Sequence, residues 1–575
     1  MSLYLAARYY TYALSMAGLC YFEDTLGELF ERVHVTLAQA KHQDECQLQR
    51  FNRRNCHHRR KENRKVIRAV DVNLYHHSNM KVSSSLASAG QPAEELSKTS
   101  TSSTDTRRLG CGCDLTAGQL RTQWRTSEQK KFDKGDKRTY LHFDKRFKEI
   151  ADAAVQDIWS ASTMTTHAFL PLVQTTITER KFKKVKKLAG ENPIVEKLRP
   201  ISYASHFDAL ALAWYAHMLN HCYNHVVTKL DTDDAAIAYR DNKPRKNNVA
   251  FAKEVFDFIK QRDSDMVVMC FDITGFFDHL DHKILKRMWK LVLSVVSGND
   301  LQALPPDHYG VYKNMTRFSF VDRDEIYKRF GITVKDLKGH EIICSAAELR
   351  EKAKDLITPN TKPFGIPQGT PISAILSNLY MIEFDKRLLE SISSVGGLYR
   401  RYSDDILVAV PKEHAKAMTD AVKKEVGNMN LEMQDEKTDT VFFTRDGDTL
   451  RCIDADGGAA KLVYLGIEYD GVDTDIKGKS LARYQRQKLQ AIKTALYKAR
   501  KNKRPLRKTG LLRKYSHSSK RTFVEYMRKS AAALGSKRIL AKTTKKSTTD
   551  KLARDIQKLQ KKVRRPRKRT RFLKK

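Results

Sequence analysis

Two adjacent carboxylates between two short apolar stretches limit what this chain can fold into more than any other feature. Residues 400–408 read RRYSDDILV, and residues 406–410 are apolar and rich in β-branched side chains. This pattern predicts two strands joined in a hairpin, with Asp404 and Asp405 at its tip. Charges beside a buried hairpin are costly unless they are paired, so a divalent cation is one explanation and a solvent-facing turn is the other.

A second apolar strand also ends in an acid. Residues 266–272 are apolar up to Asp272, and phenylalanines follow at positions 276 and 277. If this strand neighbours the hairpin in one sheet, three carboxylates from distant segments converge. Such a set would hold two cations about 3.5–4 Å apart for phosphoryl transfer. Because side chains alternate along a strand, we expect Asp404 and Asp405 to point to opposite sides.

The positive charge of the chain indicates a polyanionic partner. The net charge is +39, and residues 476–575 carry 37 Lys and Arg against 3 acids, a net +34. Apolar residues recur there at helical spacing, which favours basic nucleic-acid-binding helices over a solvated tail. Residues 174–185 and 194–203 are strand-like and basic, and the turn GENP at 190–193 lies between them. We expect a basic hairpin that closes over a triphosphate, although exposed strands also carry Lys and Arg to protect an edge.

Other stretches give coarser expectations. Residues 374–390 predict one helix, and residues 462–467 predict a strand. The Ser/Thr-rich residues 81–110 predict a disordered linker. Residues 3–22 are apolar but contain Arg8 and five tyrosines, which favours a buried or partner-facing helix over a membrane span. Nine cysteines without a CxxC pair argue against zinc and disulfides and predict a cytoplasmic protein.

The order of three motifs resembles that of reverse transcriptases. FDITGFFD (271–278), GIPQGTPIS (365–373) and YSDD (402–405) look like motifs A, B and C, while KT (437–438) and YLGI (464–467) resemble motifs D and E. The resemblance extends over about residues 140–540. It is closest to the prokaryotic branch of group II intron and retron enzymes. YLHFD (140–144), LPPDHY (304–309) and FVEY (523–526) look most like the bacterial, defence-associated "unknown group".

This resemblance implies an α+β, right-hand polymerase fold. The fingers would comprise residues 137–248, and the palm, an antiparallel sheet plus helices with motifs A to E, residues 249–475. A basic helical thumb and C-terminal tail would comprise residues 476–575. Residues 1–136 would form a partly disordered N-terminal extension to which the sequence assigns no role.

The resemblance also implies site residues. Asp272 and Asp404 would be catalytic ligands of two Mg²⁺ ions (or Mn²⁺), with Asp405 beside them and the Ile273 carbonyl as an extra ligand. Phe277 would lie under the sugar of the incoming nucleotide and exclude a 2′-hydroxyl, unless it is a core aromatic. The remaining nucleotide-binding candidates are Gln368 and Gly369 in the nucleotide pocket, Arg199 and Lys197 at the triphosphate, and Lys437, which is either an aid to pyrophosphate departure or an ordinary surface lysine.

The implied activity is RNA-directed DNA synthesis. The chain would add dNTPs to a 3′-hydroxyl, copy a structured non-coding RNA, hold an RNA–DNA duplex and act without a membrane in antiphage defence. Three alternatives stay open: a non-catalytic RNA-binding protein on a polymerase scaffold, an RNA-synthesising polymerase and a template-independent one. Neither the primer nor the oligomeric state can be read from the sequence.

Overall fold

The computed structural model describes residues 117–133, 140–147, 149, 152–182, 194–243, 246–333, 337, 339–434, 436, 438–517, 520 and 522–564. The apolar stretch at 3–22, the Ser/Thr-rich linker at 81–110 and Lys437 lie outside the described residues. Within the described part of the chain, no helix combines the length and the apolar character that crossing a membrane requires.

Strands and helices alternate along the described chain. The strands are β1 (Leu172–Phe182), β2 (Ile194–Tyr203), β3 (Met266–Asp272), β4 (Ser319–Asp322), β5 (Thr358–Pro359), β6 (Leu398–Tyr402), β7 (Asp405–Pro411), β8 (Asp439–Asp446), β9 (Thr449–Ile453), β10 (Leu462–Tyr464), β11 (Ile467–Tyr469) and β12 (Thr474–Ile476). The helices up to the central hairpin are α1 (Ala117–Asp133), α2 (Asp152–Trp159), α3 (Ala161–Thr166), α4 (His206–Lys229), α5 (Asn248–Lys260), α6 (Phe276–His279), α7 (His282–Ser297), α8 (Pro306–Thr316), α9 (Arg323–Arg329), α10 (Ala346–Lys352), α11 (Ser373–Tyr380) and α12 (Ile382–Ser394). Those after it are α13 (Ala415–Asn428), α14 (Gly478–Lys501), α15 (Thr509–Tyr515), α16 (Phe523–Leu534), α17 (Lys537–Thr543) and α18 (Lys551–Arg564).

A five-stranded sheet in the order β6-β7-β3-β8-β9 carries the predicted acids. β6 and β7 form the predicted hairpin, and β3 pairs with β7 in antiparallel register, so that Asp272 lies opposite Asp405. The prediction that the two acid-ended strands are neighbours is therefore confirmed. Helices together with sheets that are antiparallel except for the β1–β4 pair also confirm the predicted α+β class.

Both faces of this sheet are covered, which explains why its central strands read as continuous apolar runs. Val267, Met269 and Phe271 belong to a core that includes α4, α7, α11 and α12. Met266 and Val268 alternate with them and belong to a second core, which includes α5, the β10–β12 sheet and the C-terminal helices. Each fully buried side chain of this size contributes roughly 1.5–3 kcal/mol to folding.

The predicted basic hairpin is formed by β1 and β2, in a sheet of order β2-β1-β4-β5. Its register places Val173 opposite Tyr203 and Glu179 opposite Lys197. Val173 is fully buried, whereas Lys197 and Arg199 are exposed. The hairpin is therefore anchored in a core at one end and carries exposed cations toward the other.

Two predictions of secondary structure are wrong. The helix predicted at 374–390 is divided, because α11 ends at Tyr380 and α12 begins at Ile382. No Pro or Gly marks this break in the sequence. The strand predicted at 462–467 is a hairpin of β10 and β11, with a two-residue turn whose φ angles are +46° at Leu465 and +86° at Gly466. Leucine rarely adopts positive φ, so the sequence does not indicate this turn in the way that Asn-Gly would.

Helix α1 lies within residues that the sequence assigned to the N-terminal extension. Trp124 of this helix is 1% exposed and meets the rings of Trp159 and Trp214 edge-on, at centroid distances of 6.1 and 5.7 Å. Edge-to-face aromatic packing adds to the stabilisation from burial alone. Residues 117–133 therefore pack into the same core as α2 and α4.

Candidate active site

The acids of the site lie where two neighbouring strands end. Beyond Asp272, the chain leaves β7 and bonds instead to residues 432–434: the Gln434 amide donates to the Asp272 carbonyl at 2.9 Å, and the Thr274 amide donates to the Glu432 carbonyl at 2.9 Å. Ile273 and Met433 face each other between these two bonds. In such a pair the flanking residues make the hydrogen bonds, so the Ile273 carbonyl points away from residues 432–434. This orientation suits the predicted role of that carbonyl as an extra ligand.

The turn between β6 and β7 consists of Ser403 and Asp404. Ser403 has φ = +63°, the left-handed value that a two-residue hairpin requires at its first position and that glycine usually supplies. Ser403 is buried, its carbonyl accepts a hydrogen bond from Arg401 Nη1 at 3.1 Å, and its hydroxyl accepts one from the Tyr239 hydroxyl at 3.4 Å. These contacts hold the backbone of the turn in a conformation that a serine would otherwise avoid.

Each of the two acids of the turn interacts with neighbouring charged or titratable groups. Burial raises the pKa of Asp404, the negative charge of Asp272 raises it further, and Lys197 opposes the rise. The charge of Asp405 contributes, after burial, to the raised pKa values of Tyr402, Tyr464 and Cys270. Asp404 is thus coupled to Asp272 and to Lys197 of the basic hairpin, while Asp405 lies opposite Asp272 in the strand register and acts on Tyr402, Tyr464 and Cys270.

A divalent cation fits this arrangement of carboxylates. Among the described residues, no three His, Cys, Asp or Glu side chains are grouped closely enough to hold a metal ion together. Asp272 lies opposite Asp405 in the strand register, and after burial its charge raises the pKa of Asp404, so a cation between these carboxylates would relieve their repulsion. Mg²⁺ commonly takes one or two carboxylates and completes its octahedron with water and substrate phosphates, so a pair suffices.

Phe277 lies on the short helix α6, immediately after β3. Phe276 beside it is 3% exposed and fills the core, whereas Phe277 is half-buried, with its ring centroid 5.5 Å from that of Phe276. The Phe277 carbonyl accepts a hydrogen bond from the Ile366 amide at 2.9 Å. Phe277 therefore presents part of its ring at the surface, next to the loop that contains Gln368.

That loop joins α6 to the basic hairpin. Gln368 Nε2 donates to Asp278 Oδ1 at 3.1 Å, and the Gln368 carbonyl accepts from the Ser202 amide of β2 at 2.7 Å. Gly369 has φ = +107°, and a Cβ there would lie 2.6 Å from the Ser202 carbonyl oxygen. Both the conformation and the contact require glycine.

Lys197 and Arg199 of the basic hairpin have different surroundings. Lys197 is close enough for its charge to lower the pKa of Asp404. Arg199 lies 3.6 Å from Glu179 of the paired strand and forms an exposed ion pair with it. Such pairs are weak and exchange readily for a stronger anion. Lys437 lies outside the described residues.

A buried ion pair beneath the turn was not identified from the sequence. Arg401 and Asp385 have side chains that are 0% and 3% exposed, and Arg401 donates to both carboxylate oxygens, from Nε at 2.8 Å and from Nη2 at 2.6 Å. Burial lowers the pKa of the guanidinium, but the Asp385 charge outweighs it and raises the pKa overall. The sequence signal was an arginine at an inward position of an apolar strand.

The asparagine Asn378 extends this network. Its Oδ1 accepts from Arg401 Nη1 at 3.3 Å, and its Nδ2 donates to the Ala238 carbonyl at 2.9 Å. The Arg401 backbone also bonds to the segment before Ala238, through Ala235 and Ile237. The turn, α11, α12 and residues 235–238 are therefore held as one unit.

Part of the chain matches a known family. Residues 322–469 match the family described as "Reverse transcriptase (RNA-dependent DNA polymerase)". The matched stretch contains Gln368, Asp404 and Asp405, and Asp272 precedes it.

Several solved polymerases have low-level structural similarity to the chain. Apo telomerase from Candida tropicalis, truncated from its C-terminal domain, is 12% identical over 53% of this chain and 57% of its own, with a TM-score of 0.32. Telomerase from Candida albicans, in complex with a TWJ fragment of telomeric RNA, is 8% identical over 73% of this chain and 61% of its own, with a TM-score of 0.34. An insertion-loop deletion mutant of the RNA-dependent RNA polymerase of a human picobirnavirus is 10% identical over 52% of this chain and 45% of its own, with a TM-score of 0.30. The chain thus spans about half to three fifths of the length of these proteins.

The buried pair gives a stability prediction. We expect Arg401→Met to lower the free energy of unfolding by about 3–5 kcal/mol, because it leaves Asp385 buried without its partner. The double variant Arg401→Met with Asp385→Leu removes both charges and is expected to recover much of that loss. Urea denaturation of the two variants and the unmodified chain measures the difference. A double variant no more stable than Arg401→Met would contradict this account.

Proposed function

We propose that this protein is a reverse transcriptase, which adds dNTPs to a 3′-hydroxyl under the direction of an RNA template. The observation that carries the proposal is the antiparallel register of β3 and β7, which brings Asp272 to the same end of the sheet as Asp404 and Asp405. The family match over residues 322–469 supports it, as does the hydrogen bond that joins Phe277, five residues after Asp272, to the loop that contains Gln368. The function follows from the site, because fold alone does not determine it.

Asp272 and Asp404 are the residues that would hold Mg²⁺, with the Ile273 carbonyl as a further oxygen ligand. When bound, the metal supplies Lewis-acid activation of the attacking hydroxyl and neutralises charge on the phosphates. The protein's own contribution is to fix the two carboxylates. Register fixes Asp272, and the bonds to Ser403 fix the turn that carries Asp404.

Residues around the acids would contact the sugar and the triphosphate of a nucleotide. Phe277 is half-buried at the surface of the site, where its ring would overlap a 2′-hydroxyl but accept a deoxyribose. Lys197, whose charge reaches Asp404, would meet the triphosphate together with Arg199. We also retain Lys437 as a candidate for assisting pyrophosphate departure, in keeping with its place in the sequence.

The C-terminal helices provide a basic surface for a duplex. Helix α14 carries Lys498, Arg500 and Lys501 in its last turn, and a buried 2.7 Å ion pair between Lys488 and Asp555 ties this helix to α18. Contacts to phosphates and 2′-hydroxyls suit an A-form RNA–DNA duplex, which proteins recognise by shape rather than sequence. We therefore propose that these helices hold the RNA–DNA product, and that the template is a structured non-coding RNA.

Removing the acids of the turn tests the proposal. We expect Asp404→Ala with Asp405→Ala to lower dNTP incorporation by more than about 10²-fold, since catalytic electrostatics are lost, while RNA binding is unchanged. Extension of a primed RNA template with Mg²⁺ measures dNTP incorporation, and filter binding measures RNA binding. If the protein acts in antiphage defence, the same variant would lose protection in a plaque assay.

The matched control is Asp446→Ala with Asp448→Ala, which removes two exposed acids from the β8–β9 turn of the same sheet. It is expected to retain synthesis. Full synthesis by the Asp404/Asp405 variant would overturn the proposal. Preferential NTP use by the unmodified chain would replace reverse transcription with RNA synthesis, and RNA binding without synthesis would indicate a non-catalytic protein.

The sugar preference tests Phe277. We expect Phe277→Val to reduce the preference for dNTPs over NTPs by roughly 10- to 100-fold, because overpacking of this kind costs about 1–3 kcal/mol. Single-nucleotide incorporation with dCTP and CTP, compared as kcat/KM, measures the ratio. Phe364→Ala removes a half-buried ring from the neighbouring loop and serves as the control. An unchanged ratio in Phe277→Val would make Phe277 a core aromatic.

A further inference from the structure

A surface outside the predicted active site combines aromatic rings with exposed cations. It is formed by α7, by the end of α8 and by residues 360–364, and it includes none of the predicted site residues. The side chains that matter for its chemistry are Lys286, Tyr309, Tyr312, Arg317, Lys362 and Phe364. We call it the Tyr309 surface.

Hydrogen bonds join the three segments that form this surface. The Tyr312 hydroxyl donates to the His282 carbonyl at 2.8 Å, which ties α8 to the start of α7. The His282 amide donates to the Pro363 carbonyl at 3.1 Å, and Asn360 Nδ2 donates to the Thr316 carbonyl at 2.9 Å. The segment that follows β5 is therefore fixed to both helices, and the surface keeps one shape.

Two lysines of the surface lie over aromatic rings. Lys286 Nζ is 5.0 Å from the centroid of the Tyr309 ring, and Lys362 Nζ is 5.7 Å from that of Phe364. Tyr309 is 43% exposed and stacks on Tyr312, with ring centroids 6.1 Å apart and ring planes at 28°. Because a cation–π contact at an exposed site is weak, either lysine can leave its ring for a phosphate and uncover the ring face.

The cations of this surface are available to a ligand. Within the part of the chain that the structure describes, no acid forms an ion pair with Lys286, Arg317 or Lys362, all of which are exposed. Arg287, which follows Lys286 on α7, differs because it donates to Glu383 at 2.7 Å. Cations without acidic partners bind an anion without first giving up another contact of that strength.

The acid beside this surface already serves as a helix cap. Asp281 Oδ1 accepts from the amides of Lys283 at 2.8 Å and Ile284 at 3.0 Å, at the start of α7. Burial raises the pKa of Tyr312, the charge of Asp281 adds to the rise, and the charge of Arg317 opposes it. Arg317 is thus close enough to Tyr312 to act on it, and Asp281 stays bound to the end of the helix.

We propose that the Tyr309 surface binds a single-stranded segment of nucleic acid outside the active site. A base stacks on the Tyr309 ring, and backbone phosphates of the same strand bind Lys286, Arg317 and Lys362. Exposed rings among cations hold single strands without reading their sequence, because every base has a face that can stack. A duplex fits less well, since its bases already stack on each other, and an acidic protein segment would leave the ring unused.

The proposed function gives this surface a use. Phe364 directly precedes the loop at 365–370, which contacts α6 and β2, so a strand bound here is held beside that loop. We expect it to anchor the RNA by a segment that is not being copied. This use as an anchor rests on the proposed function. The binding of a strand does not, because it follows from the rings and cations of the surface itself.

Photochemical cross-linking locates the strand. The full chain is mixed in EDTA with a short oligo(U) that contains 5-iodouridine, a base that cross-links to aromatic rings on which it stacks. Mass spectrometry then identifies the modified residues. We expect cross-links to Tyr309. Cross-links confined to residues 476–575 would overturn the proposal, because the strand would then be held by the C-terminal helices alone.

The contribution of the ring is measured by fluorescence polarisation of labelled oligo(U). An excess of unlabelled RNA–DNA duplex occupies cations that bind phosphates without stacking. We expect Tyr309→Ala to need about ten-fold more protein for half-maximal binding, as the loss of one stacked base requires. Tyr309→Phe keeps the ring and is expected to bind like the unmodified chain. Equal affinity of Tyr309→Ala and the unmodified chain contradicts the proposal.

The contribution of the cations is measured by the slope of log affinity against log salt. We expect Lys286→Gln with Lys362→Gln to reduce this slope by about 1.4, or about 0.7 for each phosphate contact that a single strand loses. The matched control is Arg287→Gln with Arg329→Gln, which removes two exposed cations that already form ion pairs with acids. It is expected to keep the slope. Equal reductions in the two double variants would mean that net charge alone attracts the strand, against the proposal.

Competitors identify the chemistry of the strand. Polyglutamate that displaces the probe as well as oligo(U) does at equal charge would make this a general polyanion surface and overturn the proposal. Displacement by oligo(dU) equal to that by oligo(U) supports recognition through base and phosphate, and stronger displacement by oligo(U) supports an RNA strand held also through its 2′-hydroxyls. All these measurements are made in EDTA. A failure of the unmodified chain to incorporate dNTPs would therefore defeat the proposed function and leave these results unchanged.

Discussion

The catalytic turn depends on one buried ion pair. Arg401 and Asp385 are almost fully withdrawn from water, which costs several kcal/mol per charge unless every polar atom is satisfied. Here both carboxylate oxygens accept from the guanidinium, Tyr399 donates to Asp385 at 2.6 Å, and the remaining guanidinium nitrogen donates to Ser403. The pair thereby fixes a hairpin turn with a serine at positive φ, and with it the position of Asp404.

The other predicted site residues are joined to one another by backbone contacts. The loop at 365–370 bonds to α6 on one side and to β2 on the other, at distances that a side chain at Gly365 or Gly369 would not permit. Because these contacts involve main-chain atoms, the elements meet in one arrangement and do not slide. Phe277, Gln368 and the hairpin that carries Lys197 are thereby joined, although they come from three different parts of the chain. Tyr239 meets the turn through its hydroxyl, which donates to Ser403, and the preceding residue Ala238 is bonded to Asn378 of the same network.

The pattern of apolar and polar residues predicted those strands whose structure depends on nearby residues alone. β3, β6, β7 and the basic hairpin follow from period-two alternation and apolar runs. The break after Tyr380 was missed because no Pro or Gly marks it, and the turn at Leu465 was missed because leucine stands at a position of positive φ. Packing accounts for both features. The break separates α11 from the helix that carries Asp385. The turn lets Tyr464 and Tyr469 enter the same core. The Arg401–Asp385 pair was missed because partners 16 residues apart leave no local signal.

The sequence by itself determined the chemistry that is available: acids at the ends of two apolar strands, an aromatic residue five positions beyond one of them, and a strongly basic C-terminal region. It could not determine which acids meet. The tertiary structure decided that Asp272 is coupled to Asp404 and lies opposite Asp405, and that Tyr239 is exposed beside the turn. The physical reason is sequence separation. Asp272 and Asp404 are brought together by strand register and by main-chain contacts, which depend on the whole sheet rather than on the residues around either acid.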